Sequence, residues 1–133
     1  MALLVKRVYE KPLARDGTRV LVDRLWPRGL TKEAAAVDLW PRELAPSNDL
    51  RKWYHENREA WVAFRRLYSR ELRKPEAKLA LEKLRDLISL RKTVTLLFAS
   101  KDLEHNNAVV LKELMEKAMS PAYSRSPLKT RHA

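Results

Sequence analysis

The stretch TVTLLFASKDLEHNNAVVLKELMEKAM, residues 93–119, decides the fold. Its first seven residues, 93–99, are almost continuously apolar or β-branched, as expected of a strand covered on both faces. That run is the candidate central strand. Polar residues then dominate 100–107, and from Ala108 the spacing of Val109, Val110, Leu114 and Met115 follows the helical period. Strand, polar turn and helix form the unit that places ligands beyond strand ends in open α/β sheets.

Working outward, residues 3–9 (LLVKRVY) and 18–25 (TRVLVDRL) read as two further strands, joined by a connection carrying Pro12 and the Asp16-Gly17 turn signal. The second strand stops at Trp26-Pro27-Arg28-Gly29, where proline removes a donor. Thr31 caps a short helix around Ala34 to Ala36, and 37–40 reads as a brief extended piece before Pro41. Ser47 is an N-cap ahead of Leu50, Trp53 and Tyr54, and Asn57 is the expected cap of a helix over 58–74. On that helix Trp61, Phe64, Tyr68 and Leu72 share one side, while Arg58, Arg65, Arg66, Arg70 and Arg73 share the other. Pro75 opens a further helix to about residue 90, striped by Leu81, Leu84 and Ile88.

Connections longer than a dozen residues make neighbouring strands parallel, so the expected fold is α/β, with a short, mainly parallel sheet and helices on both faces as three layers. Residues 1–119 are expected to form one domain; 120–133, basic and without acids or apolar periodicity, a disordered tail.

Composition narrows the chemistry. Among 133 residues, 28 Lys and Arg against 17 Asp and Glu give a net charge of +11, which attracts nucleic acid, phosphorylated metabolites or acidic lipid. The absence of cysteine excludes disulfides, thiolate metal sites and a Cys nucleophile, and suits a reducing cytoplasm. No apolar run approaches the length of a membrane span or the core of a signal peptide, so a cytoplasmic protein without membrane attachment is expected. With only Gly17 and Gly29, neither a phosphate loop nor a dinucleotide-binding turn can be built.

Strand carboxyl ends select segments 7–10, 23–29 and 100–107. Arg24 and Arg28 suit a forked anion clamp, with Asp23 orienting one of them or acting as a base; the plainer reading is a structural Asp–Arg pair with Trp26 in the core. Lys101 adds positive charge where the next helix begins, and His105 has the chemistry to move a proton near neutral pH. Here the plainer reading makes Asp102 or Asn106 a helix cap and His105 a surface residue. Asp102 and His105 could hold a metal, but two ligand types three apart with no further histidine nearby are weak grounds for a site, so none is assigned, and no cofactor is identified. Arg51, Trp53, Tyr54 and His55 form an aromatic, basic patch able to stack on a base, but helical spacing favours core.

Several stretches resemble a known family: DGTRVLVDRLWPRGL from Asp16, LWPRELAPSNDLRKWY from Leu39, TLLFASKDLEHNNAVVLKEL from Thr95, and the WxxFxxxYxxEL pattern over 61–72. They resemble the YeaO-like family, domain of unknown function 488, over about residues 5–114, leaving the tail outside. The resemblance implies a small α/β fold of Rossmann-like character and supplies no reaction or cofactor.

The expected function is that of a small enzyme or sensor. Its pocket, from Arg7, Asp23, Arg24, Arg28, Lys101, Asp102 and His105 with Asn106 beside them, would bind a phosphate- or carboxylate-bearing small molecule. Arg24 and Arg28 would hold charge, His105 serve as acid or base, and Asp23 or Asp102 orient it. The alternative is a nucleic-acid-binding module using the basic helix and tail. The pocket reading requires residues near 24–28 and 101–105 to meet in one concavity.

Overall fold

The computed structural model describes residues 2–90 and 93–119. Three parallel strands, β1 (Ala2–Arg7), β2 (Thr18–Leu21) and β3 (Thr93–Phe98), lie in the order β1-β3-β2. β3 is the interior strand, pairing Val94 with Leu3 on one side and with Thr18 on the other. Alternation along the strands divides the core. Val20, Val22, Val94, Leu96 and Phe98 pack beneath four helices: α2 (Asn48–Glu56), α3 (Trp61–Glu71), α4 (Pro75–Leu90) and α5 (Asn107–Met119). Leu21 and Leu97 on the opposite face meet Val8 and Ala35, the latter from the four-residue α1 (Lys32–Ala35), with Trp26, Val37 and Trp40 around them. The three layers are therefore unequal, one side carrying nearly all the helix.

Local signals set most boundaries. Ser47 Oγ accepts the Leu50 N–H at the start of α2, Thr31 Oγ1 accepts that of Ala34, and Pro75 opens α4. Leu39 bridges the outer edge of β2, its carbonyl accepting the Leu21 N–H at 2.9 Å, so the extended piece expected over 37–40 shields that edge. Gly17 has a φ of +66°, and a Cβ there would collide with the Thr93 carbonyl. Both the turn and the close strand approach demand glycine.

Two expectations fail, one for a local reason and one for a tertiary reason. The helix expected over 58–74 covers only Trp61–Glu71, because Asn57 closes the preceding helix, donating its side-chain amide to the Trp53 carbonyl at 2.8 Å. Arg58 consequently leaves the basic helical face. The strand expected to reach residue 25 ends at Leu21 because side chains take over its ladder: Asp23 accepts the Ala99 N–H at 2.9 Å, and Asn107 donates to the Val22 carbonyl at 2.8 Å. Their carboxylate and amide thus terminate the sheet where the chain must diverge. The tail reading concerns 120–133, outside the described residues. Among the described residues, no helix is long and apolar enough to cross a membrane.

Candidate functional site: a basic cleft at the strand ends

The carboxyl ends of the strands open into a cleft of about 600 Å³, whose lining includes Arg24, Arg28, Arg51, Arg58, Lys101 and His105. That volume accommodates a metabolite-sized ligand. Segments 23–28 and 99–101, far apart in the chain, meet here because parallel strands point their carboxyl ends the same way. A second groove, about 610 Å³, runs between Trp40 and α4, but Leu39, Leu79, Leu84 and Leu87 dominate it and Lys83 is its one cation among the described residues.

Each wall of the cleft is braced. The Tyr9 hydroxyl donates to the Arg28 carbonyl at 2.9 Å, tying the 26–29 turn to the end of β1. Trp26 Nε1 donates to the Leu30 carbonyl at 2.7 Å, and Trp40 Nε1 donates to the Asp23 carbonyl at 2.8 Å. Arg24 Nε donates to the Pro46 carbonyl at 2.9 Å, fixing the base of its guanidinium. On the far wall, Asp102 Oδ1 accepts the N–H groups of Glu104 and His105 at 3.0 and 2.9 Å. Asn106 Oδ1 accepts the Val109 N–H at 3.0 Å and caps α5.

Asp23 is the acidic residue of the lining. Burial raises its pKa above the usual carboxylate value, against the opposing pull of the Ala99 N–H, the Asn107 amide and the Arg51 charge. Its two oxygens are engaged, Oδ2 by Ala99 and Oδ1 by Asn107 at 3.1 Å. The N–H groups of His105 and Glu104 lower the pKa of Asp102, with smaller contributions from the His105 and Arg58 charges. Tyr54 is buried in the wall; burial raises its pKa, partly offset by Arg58. Among the described residues, Arg51 Nε has no hydrogen-bond partner, and the Tyr54 hydroxyl has none of normal geometry, Arg58 being the group nearest to serving it.

Arg24, Arg28, Lys101, His105, Asp23 and Asn106 thus share the cleft lining. Arg7 does not reach it: its guanidinium donates to the Ala99 and Ser100 carbonyls, each at 3.0 Å, and so holds the turn after β3. Asp102 stands behind the wall, with Oδ2 3.7 Å from Arg58 Nη2 and 3.8 Å from His105 Nδ1. Trp53, expected in the core, is 37% exposed, whereas Tyr54 beside it is buried. Arg58 and Asn107 lie outside the expected pocket: the sequence pattern puts Arg58 on a helical face and leaves Asn107 as the last residue of a polar turn, with no signal of its long-range partners. Among the described residues, no group of three or more potential metal-ligating His, Asp or Glu side chains gathers.

Fold and site together define a small, all-parallel α/β protein with a basic cleft at its strand ends. A family model described as the inactive DUF488-N3 subclade matches residues 2–128, and the chain belongs to that family. The match extends past residue 120, so part of the segment expected to lie outside the family lies within it. The uncharacterized protein YeaO of Escherichia coli K12 is 40% identical over 111 residues, covering 84% of this chain and 94% of its own length. The uncharacterized protein Rv3073c of Mycobacterium tuberculosis H37Rv and Mb3100c of Mycobacterium bovis are each 40% identical over 111 residues, covering 84% of this chain and 91% of theirs. No solved structure matches the chain.

Proposed function

We propose that this chain is a sensor-type binding protein for a phosphate- or carboxylate-bearing small molecule, held in the cleft without turnover. The carrying observation is the convergence of Arg24, Arg28, Arg51, Arg58 and Lys101 on one concavity whose lining carboxylate, Asp23, already has both oxygens engaged. Guanidinium groups meet phosphate or carboxylate through paired, charge-assisted bonds worth about 1.5–3 kcal/mol each. A catalytic reading finds less support. Asp23 and Asp102 serve the strand end and the turn, and His105 Nδ1 lies 3.8 Å from its nearest carboxylate, beyond hydrogen-bond reach. The family's description as inactive agrees with binding rather than turnover.

The test is titration with inorganic phosphate at low ionic strength, followed by backbone amide shifts. Saturable changes in residues 23–28 and 99–107, lost when Arg24 and Arg28 are both replaced by Ala, are expected. Changes confined to α3, or no saturable change, would overturn the reading. The nucleic-acid alternative draws on the exposed Arg66, Arg70 and Arg73, although Arg65 is paired with Glu113 at 2.7 Å. Reversing Arg66, Arg70 and Arg73 to Glu should then weaken oligonucleotide binding and flatten its salt dependence.

A further inference from the structure

We propose that the ligand carries a planar heteroaromatic ring besides its phosphate, as a nucleotide does, and that His105 is the platform on which the ring stacks. This inference rests on the anion-binding reading of the cleft and adds the class of molecule.

The His105 imidazole lies 4.7 Å from the Trp61 ring with an interplanar angle of 22°, a near-parallel stack. Trp61 continues onto Phe64 at 5.9 Å, and Phe64 onto Tyr54 at 4.3 Å, so the histidine terminates an aromatic column anchored in the core. Only one face of the imidazole can be covered by Trp61. The side chain remains 46% exposed and borders the cleft, leaving its other face to accept a flat ring. The backbone beneath it is fixed before any ligand arrives, by the Asp102 carboxylate and by the Asn106 amide, which donates to the Asp102 carbonyl at 2.9 Å. A preorganised platform loses little freedom on binding.

Charge around the platform suits the same ligand. Arg24, Arg28, Arg58 and Lys101 share the cleft with His105 and offer cations for a phosphate. A sugar phosphate would satisfy the cations and leave the aromatic face bare. Stacking on one aromatic side chain strengthens binding roughly tenfold or more.

The experiment compares inorganic phosphate, ribose 5-phosphate, adenosine 5′-monophosphate and uridine 5′-monophosphate by calorimetric titration at one ionic strength. The nucleotides should bind about tenfold more tightly than ribose 5-phosphate. His105→Ala should reduce the nucleotides to about the ribose 5-phosphate level while weakening ribose 5-phosphate far less, and His105→Phe should restore the difference. Equal affinity for nucleotides and ribose 5-phosphate, or equal weakening of both by His105→Ala, would overturn the stacking proposal and leave the anion site standing. Failure of all four probes, inorganic phosphate included, would instead overturn the anion-binding reading beneath it.

Discussion

Asp16 and Asp23 bracket β2, one just before the strand and the other just after it, and their surroundings differ in kind. Asp16 Oδ2 receives Lys6 Nζ at 2.9 Å, Arg19 Nη1 at 2.6 Å and the Leu13 N–H at 3.0 Å. Burial alone would raise its pKa, but the Leu13 N–H, Lys6 and Arg19 outweigh burial and hold it below the usual value. Asp23 has neutral donors, the Ala99 N–H and the Asn107 amide, so burial prevails and its pKa rises. Before β2, one carboxylate serves two cations, and the carbonyls of Lys11, Ala35 and Ala36 take other donors of those cations, so the cluster is spent inside the fold. Beyond it, the carboxylate is occupied by neutral groups, while Arg24, Arg28 and Lys101 line the cleft without a carboxylate partner among the described residues. Cations spent on a carboxylate and on carbonyls inside the fold mark scaffold, and cations left without a carboxylate mark the place where a ligand would complete the balance.

The strongest way to break this comparison is Asp16→Asn. With side-chain exposures of 5% for Asp16, 4% for Arg19 and 12% for Lys6, the substitution strands two buried cations. It should lower unfolding free energy at neutral pH by about 3–5 kcal/mol. Urea denaturation measures this, and a loss below about 1 kcal/mol would mean that the cluster does not clamp the crossover. Asp23→Asn, which sets an amide donor against an existing donor, should cost less, about 1–3 kcal/mol.

Acid titration of the same variants separates the two carboxylates by sign. The folded-state pKa of Asp16 is depressed, so its contribution is present above the unfolded carboxylate pKa and is lost as pH falls through the folded value. The wild-type advantage over Asp16→Asn should therefore shrink in acid. For Asp23 the folded-state pKa is raised and the native protein takes up the proton more readily than the unfolded chain. Its wild-type advantage over Asp23→Asn should grow as pH falls from neutrality through the raised folded pKa toward the usual carboxylate value. Parallel trends in the two urea-midpoint series would erase the distinction.

The smallest effect on stability belongs to the exposed Arg28. Arg28→Ala should change unfolding free energy by no more than about 0.5 kcal/mol while weakening phosphate binding roughly tenfold. Calorimetry and urea denaturation on one preparation would reveal whether the cost falls on binding, as leftover charge requires, or on the fold.

Much of this architecture is legible locally. The apolar run at 93–98, the caps at Thr31 and Ser47, and Pro75 at a helix start act within one turn or one strand, where periodicity and a single hydrogen bond suffice. The candidate cleft was legible only to the level of its segments. Parallel strands imply that 23–28 and 99–107 emerge at one end, but not which side chain each segment would spend on holding itself there. Arg7 and Arg24 illustrate the limit: both lie in the selected segments, yet Arg7 is consumed by the Ala99 and Ser100 carbonyls, whereas Arg24 uses Nε on Pro46 and still lines the cleft. Their partners are 22 to 93 residues away, beyond any window of spacing. Asn57 and Arg58 show the converse, since a short-range signal that reads as the start of α3 is captured by the end of α2. The sequence by itself determined the strands, the principal helices, the excess of positive charge and the end of the sheet where that charge gathers. Tertiary structure alone decided which charged groups are neutralised within the fold and which remain, because that balance depends on long-range carbonyls and amides that only the packed chain brings within hydrogen-bond reach.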